Sequence, residues 1–242
     1  PMPRLEVPDY GQISVADAIA LQEEMRQRVV CADDATPIRT VAGIDIGIDR
    51  VNAIARAAAV VVRLEDLAPV EWVAVQHPVT FPYVPGLLGF REVPAAMAAL
   101  ARLNRTPDLL MCDGHGMAHP RRCGLACHLG LLAGIPAIGV AKSRLIGCHA
   151  PVDDEGGAWQ PLSDGDEVIG AVVRTRAGVR PVYVSTGHRV SLLTAIDLVL
   201  RCTRGFRLPE PTRQAHRLAS GLSSLTAAGS ATAGCSSPLS RC

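Results

Sequence analysis

The order of apolar and polar positions divides the chain into recognisable elements. Over Ser14–Val30, Ala18, Leu21, Met25 and Val29 recur at helical spacing behind a Ser14/Asp17 capping pattern. An amphipathic helix is expected there, packed on a sheet as a lid. Three runs rich in Val and Ile follow, at Val41–Ile48, Ala57–Arg63 and Glu71–His77, with short connectors that suit an antiparallel meander. After the Pro- and Gly-rich stretch Phe81–Gly89 the period changes. It predicts a helix over Glu92–Leu103, a strand at Leu109–Cys112, a helix over Cys123–Ala133 and a strand at Ile135–Val140, with connections long enough for parallel pairing. Strands at Glu167–Arg174 and Val182–Ser185 and helices over Ser191–Cys202 and Pro211–Ser220 complete the pattern.

Three antiparallel strands followed by alternating helices and parallel strands is the order of a ribonuclease H-like sheet, an α/β fold whose mixed sheet is flanked by helices. One domain is expected over residues 1–220. The remainder, Gly221–Cys242, is Ala, Ser, Gly and Thr with almost no charge, and is expected to be a disordered tail. With 48% hydrophobic and 19% charged residues in 242, the chain falls in the soluble globular range.

The formal charge of +1, from 24 basic against 23 acidic residues, argues neither for nor against nucleic acid, so distribution carries more information. Arg201, Arg204, Arg207, Arg213 and Arg217 cluster near the end of the folded part. They could meet phosphates, but a salt-bridged helix face is the plainer reading. Eight cysteines without a signal peptide or an apolar run able to cross a bilayer point to a reducing cytoplasm and no membrane. Cys123, Cys127 and His128, near Cys112, His115 and His119, contain no C-x-x-C pair, so small buried cysteines are expected in preference to zinc.

Candidate chemistry starts at Asp45, a carboxylate in the middle of the apolar strand Val41-Ala-Gly-Ile-Asp-Ile-Gly47. Unpaired, it would cost several kcal/mol. Asp113 stands at the carboxyl end of the strand Leu109–Cys112, and in a parallel pair the two acids reach one site. Hard divalent cations such as Mg²⁺ take oxygen ligands, and Glu92, early in its helix, could supply a third. Taken alone, Glu92 reads better as a helix-capping, turn or salt-bridged acid. Lys142 follows the strand Ile135–Val140 at the same edge, where it could steady a pentacovalent phosphate or simply cap a strand. His216, on the Arg-rich last helix, is either a ligand or proton donor or a solvated residue. The loop Asp113-Gly-His-Gly-Met-Ala-His119 suits close approach of a flat ligand to the backbone. Phe81-Pro-Tyr-Val-Pro-Gly86 reads as a proline-stiffened hairpin with an aromatic tip able to wedge between bases, unless its aromatics plug the core.

Taken together, GIDIG, FPYVPGLLGFRE, DGHGMAHPRRCGLACHLG, GVAKSRLIG, GHRVSLLTA and RLPEPTRQAH run collinearly from Val41 to His216 and resemble the endonuclease V family. The resemblance implies a ribonuclease H-like, Mg²⁺-dependent enzyme, with Mn²⁺ able to substitute. It implies hydrolysis of the second phosphodiester 3′ to deoxyinosine in DNA, leaving a 3′-hydroxyl and a 5′-phosphate. Asp45, Glu92 and Asp113 would bind metal, with Lys142 and His216 assisting. Tyr83, flanked by Pro82 and Pro85, would be the wedge that replaces a flipped base. Gly86, Leu88, Gly114 and Leu125, with His119, would form the hypoxanthine pocket, read largely by main-chain groups that leave the amino group of adenine unpaired. A monomer acting on deoxyinosine DNA is expected, with inosine in RNA as the alternative substrate. Two rivals remain: a phosphotransferase of the actin and sugar-kinase type, suggested by Gly43-Ile-Asp-Ile-Gly47, and a non-catalytic inosine-binding protein.

Overall fold

A computed structural model describes residues 5–221. Of the segment expected to be a disordered tail, all but Gly221 lies outside the described residues. The elements run α1 (Val15–Arg28), β1 (Thr40–Asp49), β2 (Ile54–Arg63), β3 (Pro69–Pro78), α2 (Gly89–Leu100), β4 (Leu109–Cys112), α3 (Leu125–Ala133), β5 (Ala137–Ala141), β6 (Trp159–Asp164), β7 (Glu167–Val173), β8 (Val182–His188), α4 (Leu192–Arg201) and α5 (Glu210–Ala219).

The strands form one eight-stranded sheet in the order β3-β2-β1-β4-β5-β8-β7-β6. Strands β1 to β3 are the expected antiparallel meander, β4 and β5 add in parallel to β1, and β8 returns antiparallel to β5. This is the ribonuclease H-like arrangement, extended by the β6–β8 meander. Alternation along β1 sends Val41 to one face and Ala42 and Ile44 to the other. The first face packs on α4 and α5 through Ile196, Val199 and Ala215. The second packs on α2 and α3 through Val93, Leu100 and Leu129.

Three expectations need correction. First, α1 does not lie on the sheet. Ser14 caps it as expected, accepting from Asp17 N–H, but its buried face is Ala18, Gln22 and Met25. That face packs with Phe81, Leu87, Phe90, Cys123 and Cys127, outside α2 and α3. Second, β6 had no visible pattern: only Leu162 of its six residues is buried, and Pro161 interrupts it. Both are typical of an edge strand. Third, Phe81–Gly86 forms no paired strands and is an extended loop rather than a hairpin.

Candidate active site

Register brings the first two acids together. In the parallel β1–β4 pair Ile44 lies opposite Cys112, so Asp45 and Asp113 are the next positions on adjacent strands and share a face. The pairing extends one step past the strand, where Asp113 N–H donates to Ile44 O at 2.9 Å. On that face α5 crosses β1. A Cβ on Gly43 would fall 2.0 Å from Pro211 O, so only glycine lets the start of α5 lie this close. Gly43 is therefore a packing residue rather than part of a phosphate loop. Five positions along α5, His216 Nδ1 meets Asp45 Oδ2 at 3.2 Å.

Asp45, Asp113 and His216 each place a ligand-capable atom within 4.8 Å of the others, the one such group of three or more found among the described residues. Glu92 stands beside this group without joining it, because it comes from α2 on the opposite face. Lys142, just beyond β5, forms an ion pair with Asp113. It is the sole lysine of the whole chain, all other basic positions being arginine. Its backbone is held too: Arg207 donates to Lys142 O and to Pro181 O. That is what one arginine of the basic cluster does. Arg201 and Arg213 pair with Asp197 and Glu210, as a salt-bridged helix face would.

Electrostatics mark the acids as incompletely compensated. The Asp45 carboxyl is pushed up to about 6, by burial first and then by Asp113, against the pull of His216 and Lys142. Glu92 is pushed up to about 8 by burial and by the charges of Asp45 and Asp113. Clustered carboxylates whose crowding helps push Asp45 and Glu92 up, joined by an imidazole nitrogen, fit a hard divalent cation, which would offset that repulsion.

Beside the acids lies a cavity of about 330 Å³. Its walls include all five residues expected to form the pocket, Gly86, Leu88, Gly114, His119 and Leu125, together with Glu92 and Asp113. Tyr83 stands on its rim, 67% exposed, with Arg91 5.9 Å from the ring centre. Pro85 lines the same cavity, whereas Pro82 faces a separate groove with Arg50 and Arg91. The aromatics of the Phe81–Phe90 stretch divide: Phe81 and Phe90 are core, and Tyr83 is presented outward. Of the two glycines of the Asp113 loop, Gly114 lies on the cavity wall, while Gly116 meets a need of the fold itself. A Cβ on Gly116 would lie 2.0 Å from Thr186 O, so it is the protein's own β8 that approaches the loop. His115 lines the cavity, and burial pushes it down to about 4.

The cysteines are small buried side chains, the reading preferred to zinc. Cys112, Cys123 and Cys127 are fully buried, and His128 Nε2 is 2.7 Å from the Tyr10 hydroxyl. Sequence reasoning missed Gln22, Ser143 and Leu145 of the cavity wall. For Gln22 the available signal was a polar residue between Ala18 and Met25 on the apolar side of a helix.

Known proteins share both the sequence and the fold of this chain. The family model described as Endonuclease V matches residues 23–217. Endonuclease V of Roseiflexus castenholzii is 54% identical over 208 residues, 86% of this chain and 93% of that protein. The Nostoc sp. protein of the same name is 54% identical over 214 residues, 88% and 97% of the two chains. Among solved structures, Endonuclease V from Streptomyces avermitilis superposes with a TM-score of 0.84 at 41% identity, covering 90% of this chain and 97% of that one. Ciona intestinalis Endonuclease V, in complex with a 23-mer DNA containing an inosine followed by a ribo-adenosine, gives 0.76 at 28% identity, covering 86% and 95%.

Proposed function

This chain belongs to the endonuclease V family, and on that premise we propose that it hydrolyses the second phosphodiester 3′ to deoxyinosine in DNA, leaving a 3′-hydroxyl and a 5′-phosphate. The observation that carries this reading is adjacency: Asp113 belongs both to the Asp45–Asp113–His216 group and to the wall of a base-sized cavity. A flipped base in the cavity leaves the strand running past the acids. Tyr83, on the rim, takes the place the base vacates in the stack. Main-chain groups at Gly86, Leu88 and Gly114 face the hypoxanthine edge, where the amino group of adenine would leave buried polar groups unpaired.

Asp45 and Asp113, with Glu92 or His216 completing the set, would hold Mg²⁺ or Mn²⁺. A bound divalent cation supplies Lewis-acid charge at the phosphate. The chain's own groups do the rest. The Lys142 ammonium, steered by Asp113, holds a non-bridging oxygen as negative charge grows on it. Water adds to phosphorus as the bond to the 3′ oxygen breaks; one of the water's hydrogens passes to solvent, the other stays on the new 5′-phosphate, and the departing 3′ oxygen takes up one proton. His216 has one nitrogen on Asp45 and a half-exposed ring, a position from which it can protonate the departing 3′ oxygen.

Riboinosine strands are a second substrate reading, favoured by the ribo-adenosine that follows inosine in the DNA bound to the Ciona protein. The test is cleavage of matched deoxyinosine and riboinosine oligonucleotides with Mg²⁺ and with chelator, mapping each cut. Metal-dependent nicking one nucleotide beyond the inosine is expected. Equal cutting of adenosine controls, or cutting that survives chelation, would overturn the reading.

A further inference from the structure

One carbonyl of the base cavity is held by an unusual number of donors. Gly86 O accepts from Arg121 Nη2 at 2.9 Å, His119 Nε2 at 3.1 Å and Gln22 Nε2 at 3.2 Å. Gln22 comes from α1, is 3% exposed, and uses its whole amide. Its second Nε2 hydrogen goes to Cys123 O at 2.6 Å, and its Oε1 accepts from Arg121 Nε at 2.5 Å. Rotating the amide would set its oxygen against two carbonyls, so the network admits one orientation. The same logic fixes His119. Its Nε2 faces a carbonyl and must carry the hydrogen, leaving Nδ1 to accept from Arg121 N–H at 3.2 Å. Burial holds this ring in its neutral form, with its pKa pushed down to about 4.

Arg121 and His119 tie the two loops to each other directly at Gly86 O, and Gln22 adds from α1 a brace that holds a carbonyl of each. Gly86 lies in the Tyr83 loop, at φ +78, and Cys123 closes the loop that begins at Asp113. Both loops wall the cavity, and Gln22 lines it between them. On the premise of the function proposed above, the geometry points to Gln22 as a positioning residue for base selection: through Gly86 and Cys123 it fixes the spacing of the two loops that read hypoxanthine. Selectivity built on main-chain groups has no side chain to adjust, so it depends on backbone spacing, and α1 supplies the brace.

Gln22→Met keeps the length and removes every hydrogen bond, in an apolar cluster that already holds Met25. We expect half-saturation by an inosine oligonucleotide to rise roughly tenfold to a hundredfold, with a matching fall in inosine-over-adenosine preference. The single-turnover rate at saturation changes by less than about threefold, because the acids are untouched. Gln22→Glu keeps the acceptor for Arg121 but loses both donors, and behaves like Gln22→Met. Met25→Leu, on the same helix face, retains wild-type selectivity. Should the Gln22 variants fail to fold, Arg121→Met removes a donor to Gly86 O from the part-exposed side and shifts selectivity in the same direction. A wild-type protein without inosine preference defeats the proposed function. A wild-type preference that persists in Gln22→Met, or in Arg121→Met where that is the folded variant, defeats this inference alone.

Discussion

Strands β1 and β4 lie side by side and carry acids at both ends, but the two ends treat them in opposite ways. At the amino end, Asp108 Oδ2 accepts from Arg39 N–H at 2.9 Å, Thr40 N–H at 2.8 Å and the Thr40 hydroxyl at 2.9 Å. That acid ties two strand starts together and is satisfied. It lines a larger cleft of about 700 Å³, where Glu71 is likewise bonded by Asn104. At the carboxyl end, Asp45 and Asp113 share one face with an imidazole and one ammonium, Glu92 adds a third carboxyl, and the pKa values of Asp45 and Glu92 are driven up. Cavity size would choose the wrong end. Unsatisfied charge identifies the right one, because a fold that only needed stability would pair its acids as Asp108 is paired.

This contrast can be broken in four ways. The largest effect is expected from Asp45→Asn and Asp113→Asn, each lowering inosine-directed nicking on the order of a thousandfold, with melting temperatures of the metal-free proteins at or above wild type. Near-normal turnover in either variant would remove that acid from the site. Next, Lys142→Arg keeps the charge but exchanges a compact ammonium for a planar fork. A fall in single-turnover rate of roughly tenfold to a hundredfold is expected. Wild-type rates would show that charge alone suffices.

The third test concerns pH in chelated, metal-free protein. Folding raises the Glu92 pKa from an ordinary carboxyl value to about 8, so between about pH 4.5 and 8 the folded state holds a proton that the unfolded chain has released. Stability must then fall as pH rises through that window. Glu92→Gln flattens the slope in thermal melts, and divalent metal raises the melting temperature most at the alkaline end. A slope unchanged by Glu92→Gln would place its origin elsewhere. The smallest effect is at the other end of the strands. Asp108→Ala costs roughly 1–3 kcal/mol of stability by urea denaturation and leaves turnover per folded molecule unaltered.

Much of this was legible because burial imposes period. The apolar strands β1, β2 and β4 could be placed from sequence, and placing β1 parallel to β4 was enough to join Asp45 to Asp113. Edge strand β6 was not legible, since five of its six residues are not buried and leave no period. Glu92 and His216 were ambiguous for another reason: each sits on a helix whose layer decides where it points, and the spacing of residues along a helix does not reveal the layer. Gln22 gave only the faint signal of a polar residue on an apolar helix face, and its purpose stays hidden until its partners, 64 and 101 positions away, come into view.

The solitary lysine has a practical consequence. Protein grown on nitrogen-15 lysine contains one labelled side-chain nitrogen in its entire length, and that nitrogen is paired with Asp113. Its resonance is a built-in spectroscopic probe, needing no assignment, with which the arrival of cation, of inosine strand and of product can be followed one after another.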